Sequence, residues 1–280
     1  MNKLIAIIDS GSSISKWIIC GEDYKEVDSF NLPGINPTSN PTSVQYIEEI
    51  PDPFKQGIKE AYFYGSGVST PESIKTMETT LHKHLPKLDT LEIENDLLAA
   101  CRAISDRQES YVVILGTGTN SCYFDGIKIG KKIPSLGYLF DDYGSGYHIG
   151  REIIKSYFYG KMDPNDIKLF EETFGSKRDH IINPLYETSN PNSKIASYTK
   201  MLSQSSQKLR TEICTHTFDR FFRNKIDPIA SDKSIAINFI GSIAFHFKSE
   251  LDKSCKRNGY KLGKVLKTPL EDLLKYHQNR

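Results

Sequence analysis

The sequence predicts an α/β protein with a duplicated architecture. A buried strand, a polar glycine turn and a second strand occur in that order at residues 4–20, and the same order returns at residues 111–124. Between and after these segments, strand-like and helix-like patterns alternate. Such alternation is typical of mainly parallel sheets flanked by helices.

The first unit opens on an apolar run at residues 4–8, whose length and lack of polar positions predict a strand buried on both faces. Small polar residues follow it and predict a turn. We predict further strands at residues 17–20, 27–30, 61–64 and 88–93, helices at residues 71–84 and 97–105, and a loop at residues 31–43.

The second unit opens on the apolar strand 111–115, and the rest of the chain is richer in helical patterns. We predict a helix that opens near Ser145, further helices within residues 164–226, and a strand at residues 235–240. A capping box formed by Thr268 and Glu271 predicts the start of a last helix.

Composition and charge exclude several classes of protein. The 36 basic and 35 acidic residues leave a net charge of +1, so a nucleic-acid or membrane-surface partner has no electrostatic support. The five cysteines are scattered, which argues against a zinc site or a disulfide framework and favours a reducing compartment. The first apolar run is too short for a signal peptide or a membrane span, so we expect a cytoplasmic protein.

Two turns rich in glycine and hydroxyl groups are candidate phosphate sites. They are the runs Asp9-Ser10-Gly11-Ser12-Ser13 and Gly116-Thr117-Gly118-Thr119-Asn120-Ser121. Glycine lets backbone N–H groups approach an anion closely, and serine or threonine adds hydroxyl donors. Either turn alone could be a simple hairpin, but two matching turns favour phosphate binding. Because there is no Walker A sequence, a nucleotide would have to be bound in another way.

Three aspartates lie where the chain changes direction. Asp9 ends the first strand beside a candidate phosphate turn, where its carboxylate could order Mg²⁺ through water. Asp96 lies between a strand and a helix, where it could accept the proton of an attacking hydroxyl. Asp142 also precedes a helix. For Asp96 and Asp142 the alternative interpretation is a helix N-cap, a position that aspartate favours.

The two turns and a third run, Phe239-Ile240-Gly241-Ser242-Ile243-Ala244, occur in the order of the phosphate-1, phosphate-2 and adenosine motifs of the actin/hexokinase/Hsp70 superfamily. Within it the whole chain resembles the N-acetylglucosamine kinase-like branch, grouped with the BadF/BadG/BcrA/BcrD-type ATPases. Further matches are the runs Gly34-Ile35-Asn36-Pro37, Glu94-Asn95-Asp96-Leu97-Leu98-Ala99-Ala100 and Leu136-Gly137-Tyr138, followed by Asp142, Gly144, Ser145 and Gly146.

The resemblance implies a sugar kinase with two ribonuclease-H-like lobes, each with a mixed five-stranded sheet flanked by helices. The lobes would comprise residues 1–107 with 267–280, and residues 108–266. ATP would be the phosphate donor, with Mg²⁺ near Asp9, and Asp96 would be the general base. The resemblance assigns nucleotide and phosphate binding to Ser10, Gly11, Ser12, Ser13, Gly116, Thr117, Gly118, Thr119, Gly241 and Ser242. It assigns sugar binding to Asn36, Asp96, Thr117, Asn120 and Asp142.

The expected acceptor is a hydroxyl of a hexosamine such as N-acetylglucosamine or glucosamine, and the resemblance also allows a homodimer. Three positions depart from the family pattern: Ile14 stands where a basic residue is usual, Asp141 replaces a glycine, and Tyr143 replaces an acidic residue. Two alternatives stay open. One is an ATPase coupled to a protein partner, like the dehydratase activators of the same broad family. The other is a sugar-binding regulator with weak or no catalysis, which the altered first turn and Tyr143 allow.

Overall fold

The computed structural model describes residues 3–11, 13–105 and 107–279. Contacts between Cα atoms divide the chain into two compact units. Unit 1 comprises Met1–Gln108, Gly126–Lys128 and Thr268–Arg280, and unit 2 comprises Glu109–Asp125 and Ile129–Lys267. Of the predicted site residues, Ser12 lies outside the described residues.

Unit 1 contains a five-stranded sheet in the order β3-β2-β1-β4-β5. β1 pairs antiparallel with β2 and parallel with β4, so the sheet is mixed, as predicted. β4 in turn pairs parallel with β5. The strands are β1 Leu4–Ser10, β2 Ile14–Cys20, β3 Glu26–Pro33, β4 Ile58–Gly65 and β5 Thr90–Asn95. The helices are α1 Asp52–Lys55, α2 Pro71–His84, α3 Asp96–Ile104 and α12 Leu270–Gln278, with a 3₁₀ helix at Pro41–Glu49.

Unit 2 contains a second five-stranded sheet in the order β10-β9-β6-β7-β8. Its strands are β6 Ser110–Leu115, β7 Thr119–Phe124, β8 Ile129–Lys132, β9 Ile237–Ile240 and β10 Leu262–Leu266. Its helices are α4 Gly137–Phe140, α5 Gly146–Phe158, α6 Pro164–Phe174, α7 Arg178–Glu187, α8 Pro191–Ala196, α9 Gln207–Phe221, α10 Ser242–His246 and α11 Lys248–Arg257. A 3₁₀ helix lies at Ser197–Ser203 and a π-helical turn at Phe222–Ile226.

The two sheets share one connectivity, which confirms the predicted duplicated fold. In each sheet the first three strands form an antiparallel meander, and the fourth strand pairs parallel with the first. The fifth strand then pairs parallel with the fourth. Because the first strand of each unit lies in the middle of its sheet, its apolar residues are buried on both faces. The predicted alternation of elements thus produces two mixed sheets with helices packed on them.

The start of the last helix differs from the prediction. α12 begins at Leu270, its N-cap residue is Pro269, and no side chain caps it. The Thr268 hydroxyl is buried without a hydrogen-bond partner among the described residues, so the predicted capping box with Glu271 is wrong. The backbone at Pro269 is already helical, with φ −82° and ψ −13°, whereas a side-chain cap needs an extended N-cap residue.

The predicted loop at residues 31–43 is shorter than expected. β3 extends to Pro33, because its residues pair with β2 as far as Ile14. A 3₁₀ helix then begins at Pro41, where proline occupies the first turn without needing its missing N–H. Residues 34–40 remain irregular, and they contain the predicted sugar-binding residue Asn36.

Candidate active site

Three polar residues of unit 1 lie at one edge of its sheet. β1, β4 and β5 run parallel, so their carboxyl ends share that edge. The register places Ser10 beside Gly65 and Gly65 beside Asn95. Asp9, Ser66 and Asp96 therefore lie at the carboxyl ends of neighbouring strands, the edge at which open α/β sheets commonly bind ligands.

Asp96 is the first residue of α3, but it is not the N-cap. The side chain of Asn95 accepts a hydrogen bond from the Leu98 N–H at 2.9 Å and caps the helix. The capping interpretation of Asp96 is therefore wrong. Instead, the Ser66 hydroxyl donates a hydrogen bond to the Asp96 Oδ2 at 2.6 Å. This contact orients the Asp96 carboxylate, which does not cap the helix.

Asp9 has a perturbed ionisation. The pKa of the Asp9 carboxyl is raised to about 7, mainly by burial and also by the negative charge of Asp96, while the positive charge of Lys16 acts in the opposite direction. Lys16 lies directly across the β1–β2 pair from Asp9. Two neighbouring carboxylates that repel each other are stabilised by a divalent cation, and carboxylate oxygen is the ligand that Mg²⁺ prefers. The residues present therefore fit the expected magnesium ion.

The first predicted phosphate turn is only partly built as expected. The Ser10 hydroxyl is fully buried, donates to the Ile35 carbonyl at 3.1 Å and accepts from the Ile35 N–H at 3.0 Å. It thus supports the neighbouring loop. The Gly11 N–H closes the turn by donating to the Ile14 carbonyl, and Ser13 is exposed. Ile14 is 42% exposed, so the position where a basic residue is usual presents an apolar side chain to solvent.

Asn36 is buried in the loop that Ser10 supports. Its Oδ1 accepts hydrogen bonds from the N–H groups of Thr38 and Ser39, at 3.2 and 2.9 Å. Its side chain packs directly against Gly67, where a Cβ atom would overlap it. Because the side-chain oxygen serves the local turn, a ligand would meet the Nδ2 donors of Asn36.

In unit 2 the second predicted phosphate turn joins β6 to β7. The carbonyls of Gly116 and Thr117 accept hydrogen bonds from the N–H groups of Gly146 and Tyr147, which anchor the turn to the start of α5. A Cβ on Gly116 would meet nothing within 4 Å, so this residue borders open space. Next to the turn, the Oδ1 of Asn120 accepts from the Ser121 N–H at 3.0 Å.

Asp142 lies against this turn. Its carboxylate accepts a hydrogen bond from the Thr119 N–H at 2.8 Å, and a Cβ on Gly118 would lie 2.9 Å from its Oδ2. The residue is buried, and burial raises the pKa of its carboxyl to about 6. Its φ of 61° is left-handed, a strained conformation for a residue other than glycine. Ser145 is the N-cap of α5, so the capping interpretation of Asp142 is wrong too.

The third motif lies at the end of β9. Gly241 has a φ of 132°, and a Cβ there would overlap the carbonyl oxygen of Leu115 at the end of β6. Only glycine fits this close approach of two backbones. Ser242 begins the short helix α10 and is exposed. The motif therefore lies at the same sheet edge as the Gly116 turn, because β6 and β9 are parallel neighbours.

One group of metal-capable side chains occurs among the described residues: His148, Glu152 and His216, with ligand atoms within 4.8 Å of one another. The His148 Nδ1 accepts a hydrogen bond from the Gly144 N–H at 3.0 Å, so the neutral ring carries its proton on Nε2. Burial lowers the pKa of His148 to about 3, which keeps the ring neutral. A metal-bound histidine normally donates its second N–H to an acceptor. This ring does the reverse and serves the loop backbone.

Two residues, one in each unit, were missed at the level of sequence. Ser66 lies in a Gly-Ser-Gly turn after β4. The available signal was that β4 lies between β1, which contains Asp9, and β5, which Asp96 follows. Lys225 lies in a helical stretch far from any motif, and its ion pair with Asp141 at 2.6 Å is visible only in three dimensions. No helix of the described residues has both the length and the apolar character that crossing a membrane requires.

The fold and these motifs define an actin-like ATPase class of protein, with one ribonuclease-H-like sheet in each unit. A scan of protein-family models gives no match, and a search of curated proteins gives none either. A solved structure from Porphyromonas gingivalis, provisionally assigned as an N-acetylglucosamine kinase, is 31% identical, with 99% of each chain covered and a TM-score of 0.89. The chain belongs to this N-acetylglucosamine kinase-like family.

More distant structures share the fold. A provisionally assigned N-acetylglucosamine kinase from Chromobacterium violaceum is 12% identical, with 100% of this chain and 99% of that chain covered and a TM-score of 0.70. A glucokinase of the ROK family from Streptomyces griseus, solved with glucose and AMPPNP, is 12% identical, with 99% and 98% covered and a TM-score of 0.52. At these identities the likeness concerns the fold alone.

Proposed function

We propose that the protein is an ATP- and Mg²⁺-dependent kinase that transfers the γ-phosphate to a hydroxyl of a hexosamine such as N-acetylglucosamine or glucosamine. The observation that carries the proposal is the environment of the Asp96 carboxylate. This carboxylate accepts a hydrogen bond from Ser66 and does not cap α3, and its negative charge helps to raise the pKa of Asp9. The full-length similarity to a provisionally assigned N-acetylglucosamine kinase supports the choice of acceptor.

Asp96 is the proposed general base. A sugar hydroxyl is a weak nucleophile, and a positioned carboxylate that takes its proton contributes about 10²–10⁴ in rate. The Ser66 hydroxyl occupies one lone pair of Oδ2 and so restricts the directions in which the carboxylate can accept that proton. Phosphoryl transfer needs mostly positioning and charge stabilisation, so a fixed base matters more than a strong one.

Asp9 is the proposed residue for Mg²⁺, which supplies positive charge to the phosphates when bound. The turn at Gly11 and Ser13 and the turn Gly116–Thr119 are proposed to bind phosphate oxygens of ATP, with Gly241 and Ser242 beside the adenosine. The open space at Gly116 and the exposure of Ser242 agree with this role. Ser10 and Thr119 are proposed to shape the two turns, because their hydroxyls bond Ile35 and Tyr143 and the Thr119 N–H donates to Asp142.

The sugar is proposed to contact Asn36, Thr117, Asn120 and Asp142 besides Asp96. Asn36 offers its Nδ2 donors, since its Oδ1 is used within the loop. Asp142 offers a buried carboxylate oxygen, and buried carboxylates bind hydroxyl groups strongly because little water competes with them. Together these side chains provide both donors and acceptors, as a polyhydroxylated ligand requires.

The test is a coupled assay of ADP formation with Mg-ATP over a panel of hexoses and hexosamines. We expect ADP formation that depends on a hexosamine and that falls at least 100-fold in Asp96→Asn. The asparagine side chain keeps the shape of aspartate but could not take the proton. Asp52→Asn, at an exposed aspartate of the same unit, is the matched control and should keep full activity. Light scattering would measure whether the homodimer forms.

The two alternatives give different results in the same assay. A partner-coupled ATPase would release ADP equally with and without every sugar. A sugar-binding regulator would show saturable sugar binding by calorimetry and no ADP. Some partner-coupled ATPases of this broad family hold an iron–sulfur cluster by cysteine, whereas the five cysteines of this chain are all buried. The iron content of the purified protein tests this alternative directly. Hexosamine-dependent ADP formation that persists in Asp96→Asn would remove Asp96 from its role.

A further inference from the structure

We propose that Lys225 is a positioning residue for the sugar-binding carboxylate of Asp142, and that it acts through a buried ion pair with Asp141. The inference deepens the proposed function and rests on the assignment of Asp142 to the sugar. It concerns the loop Asp141–Ser145, which is the segment where this chain departs from the pattern of its family at Asp141 and Tyr143.

The ion pair is enclosed by the protein. The Lys225 Nζ lies 2.6 Å from the Asp141 Oδ2, and the two side chains are 1% and 5% exposed. An ammonium group buried to this degree is stable only when a carboxylate compensates its lost hydration. Lys225 therefore holds Asp141 in place. Because Asp141 is the first residue of the loop, the ion pair restrains the start of the loop.

Lys225 is itself held rigidly. It lies in the π-helical turn Phe222–Ile226, where the Asp227 N–H donates to the Phe222 carbonyl at 2.9 Å. The Lys225 carbonyl accepts a hydrogen bond from the Ser121 hydroxyl of β7 at 3.2 Å. π-helical turns occur often at functional sites, because the inserted residue turns a side chain away from the regular helix surface. Here the turn directs an ammonium group into the interior.

The rest of the loop needs such an anchor. Asp142 has a left-handed backbone, and its carboxylate is oriented by a hydrogen bond from the Thr119 N–H. The Thr119 hydroxyl donates to the Tyr143 carbonyl at 2.8 Å, and the His148 Nδ1 accepts from the Gly144 N–H. These contacts hold Asp142 and the residues that follow it. On the preceding side, the Asp141 N–H donates to the Gly137 carbonyl at 2.9 Å and the Leu136 N–H donates to the Asp141 Oδ2 at 3.4 Å. The ion pair with Lys225 adds a charged contact at the same point.

The charges around Asp142 also support a positioning role for Lys225. Asp141 and Asp142 are adjacent carboxylates that repel each other, and the Asp141 charge raises the pKa of Asp142, whereas Lys225 lowers it. Without the ammonium group, Asp141 would carry an unpaired buried charge beside a second carboxylate. It would turn toward water and take the loop with it.

The experiment compares Lys225→Met, Asp141→Asn and the double variant with the wild-type chain. Sugar and ATP are varied separately in the ADP assay, and hydrogen exchange with mass spectrometry follows the peptide that covers residues 141–147. We expect each single variant to raise the KM for sugar at least tenfold, to leave the KM for ATP within twofold, and to speed amide exchange in the loop at least tenfold. The double variant should raise the sugar KM no more than either single variant, because both changes act on one contact and the double variant leaves no unpaired charge.

The control is Arg210→Met, which breaks another partly buried ion pair of unit 2, Arg210 with Glu250 at 2.6 Å. It should lower the melting temperature without moving either KM or the loop exchange. A Lys225→Met protein with wild-type loop exchange, or with a sugar KM like that of Arg210→Met, would overturn the inference. So would a double variant that regains the wild-type sugar KM. If Lys225→Met fails to fold, the double variant, which leaves no unpaired charge, takes its place. Its sugar KM and its loop exchange then test the inference by the same criteria.

Failure of the proposed function is distinguishable from failure of this inference. A wild-type chain that forms no ADP with any sugar removes the kinase proposal, and the hydrogen exchange of the loop then decides alone whether Lys225 orders the segment around Asp142. Unchanged exchange overturns the inference, and exchange accelerated at least tenfold supports it.

Discussion

Replacement of Asp9 by asparagine should stabilise the protein at alkaline pH, although Asp9 is a proposed active-site residue. The pKa of its carboxyl is raised to about 7 by burial and by Asp96, whereas an aspartate in an unfolded chain titrates near 3.9. The folded state therefore favours the protonated carboxyl. Stability is lost as the pH rises from about 4 to about 7, and the full penalty is present above that range.

The magnitude follows from the size of the pKa shift. A shift of about three units, at about 1.4 kcal/mol per unit, corresponds to a penalty of at most about 4 kcal/mol at pH 8 and less than half of that at pH 5. Asparagine keeps the shape of the protonated carboxyl and carries no charge, so Asp9→Asn should recover much of this penalty. For a chain of this size we expect a melting temperature at least about 5 °C higher at pH 8, and a smaller gain at pH 5.

The assay is thermal unfolding followed by circular dichroism between pH 5 and pH 8, with and without Mg²⁺. Asp52→Asn, which changes an exposed aspartate of the same unit, controls for a general effect of removing one negative charge. Millimolar Mg²⁺ should stabilise the wild-type chain more than Asp9→Asn, because a bound cation pairs with the ionised carboxylate. An Asp9→Asn protein that is less stable than wild type at pH 8, or whose advantage does not change with pH, would refute the reasoning.

Three further predictions concern single residues. Ser66→Ala should lower kcat about 10-fold or more with the KM for ATP unchanged in steady-state assays, because Asp96 loses a charge-assisted hydrogen bond; an unchanged kcat would argue against orientation by Ser66. Gly241→Ala should destabilise the fold by more than about 2 kcal/mol in chemical denaturation, since its φ is 132° and the new Cβ would overlap the Leu115 carbonyl; equal stability would contradict this. The KM for sugar should rise at least about fivefold from pH 7 to pH 5, because the carboxyl of Asp142, with a pKa of about 6, loses its charge there; a KM that titrates identically in Asp142→Asn would assign the effect to another group.

Much of the fold was predictable because it depends on local patterns. The apolar run that became β1 is buried on both faces, and the helices predicted at residues 71–84 and 97–105 correspond to α2 and α3. The helix predicted to open near Ser145 is α5, with Ser145 as its N-cap. These elements were visible because side-chain periodicity and capping chemistry act within a few residues of sequence.

Helix ends show where such local reasoning failed. Asp96 and Asp142 both resemble N-cap residues, yet Asn95 and Ser145 provide the caps. At α12 the sequence predicts a capping box, but Pro269 has a helical backbone and the helix begins without a side-chain cap. Neighbouring polar residues compete for one capping position, and packing of the helix on the sheet decides between them.

The sequence also did not determine which hydroxyl groups of the candidate site face a ligand and which bond the protein. Ser10 and Thr119 are in the predicted phosphate turns, but their side chains bond the backbone of Ile35 and Tyr143. Ser66 was not singled out, although its hydroxyl contacts Asp96. A motif indicates that a hydroxyl is near the ligand site, whereas the direction in which it points depends on residues distant in sequence.

The amino-acid sequence alone determined the order of buried strands, glycine turns and helices. It also determined the family resemblance, because both depend on residue types at short spacing. Only the tertiary structure decided which charged groups act on each carboxylate. The negative charge of Asp96 acts on Asp9 from the end of another strand of the same sheet, and Asp141 pairs with Lys225, which lies 84 residues away in the chain. Electrostatic interactions act through space, so the raised pKa of Asp9 and the partner of Asp141 follow from neighbours that no sequence spacing identifies.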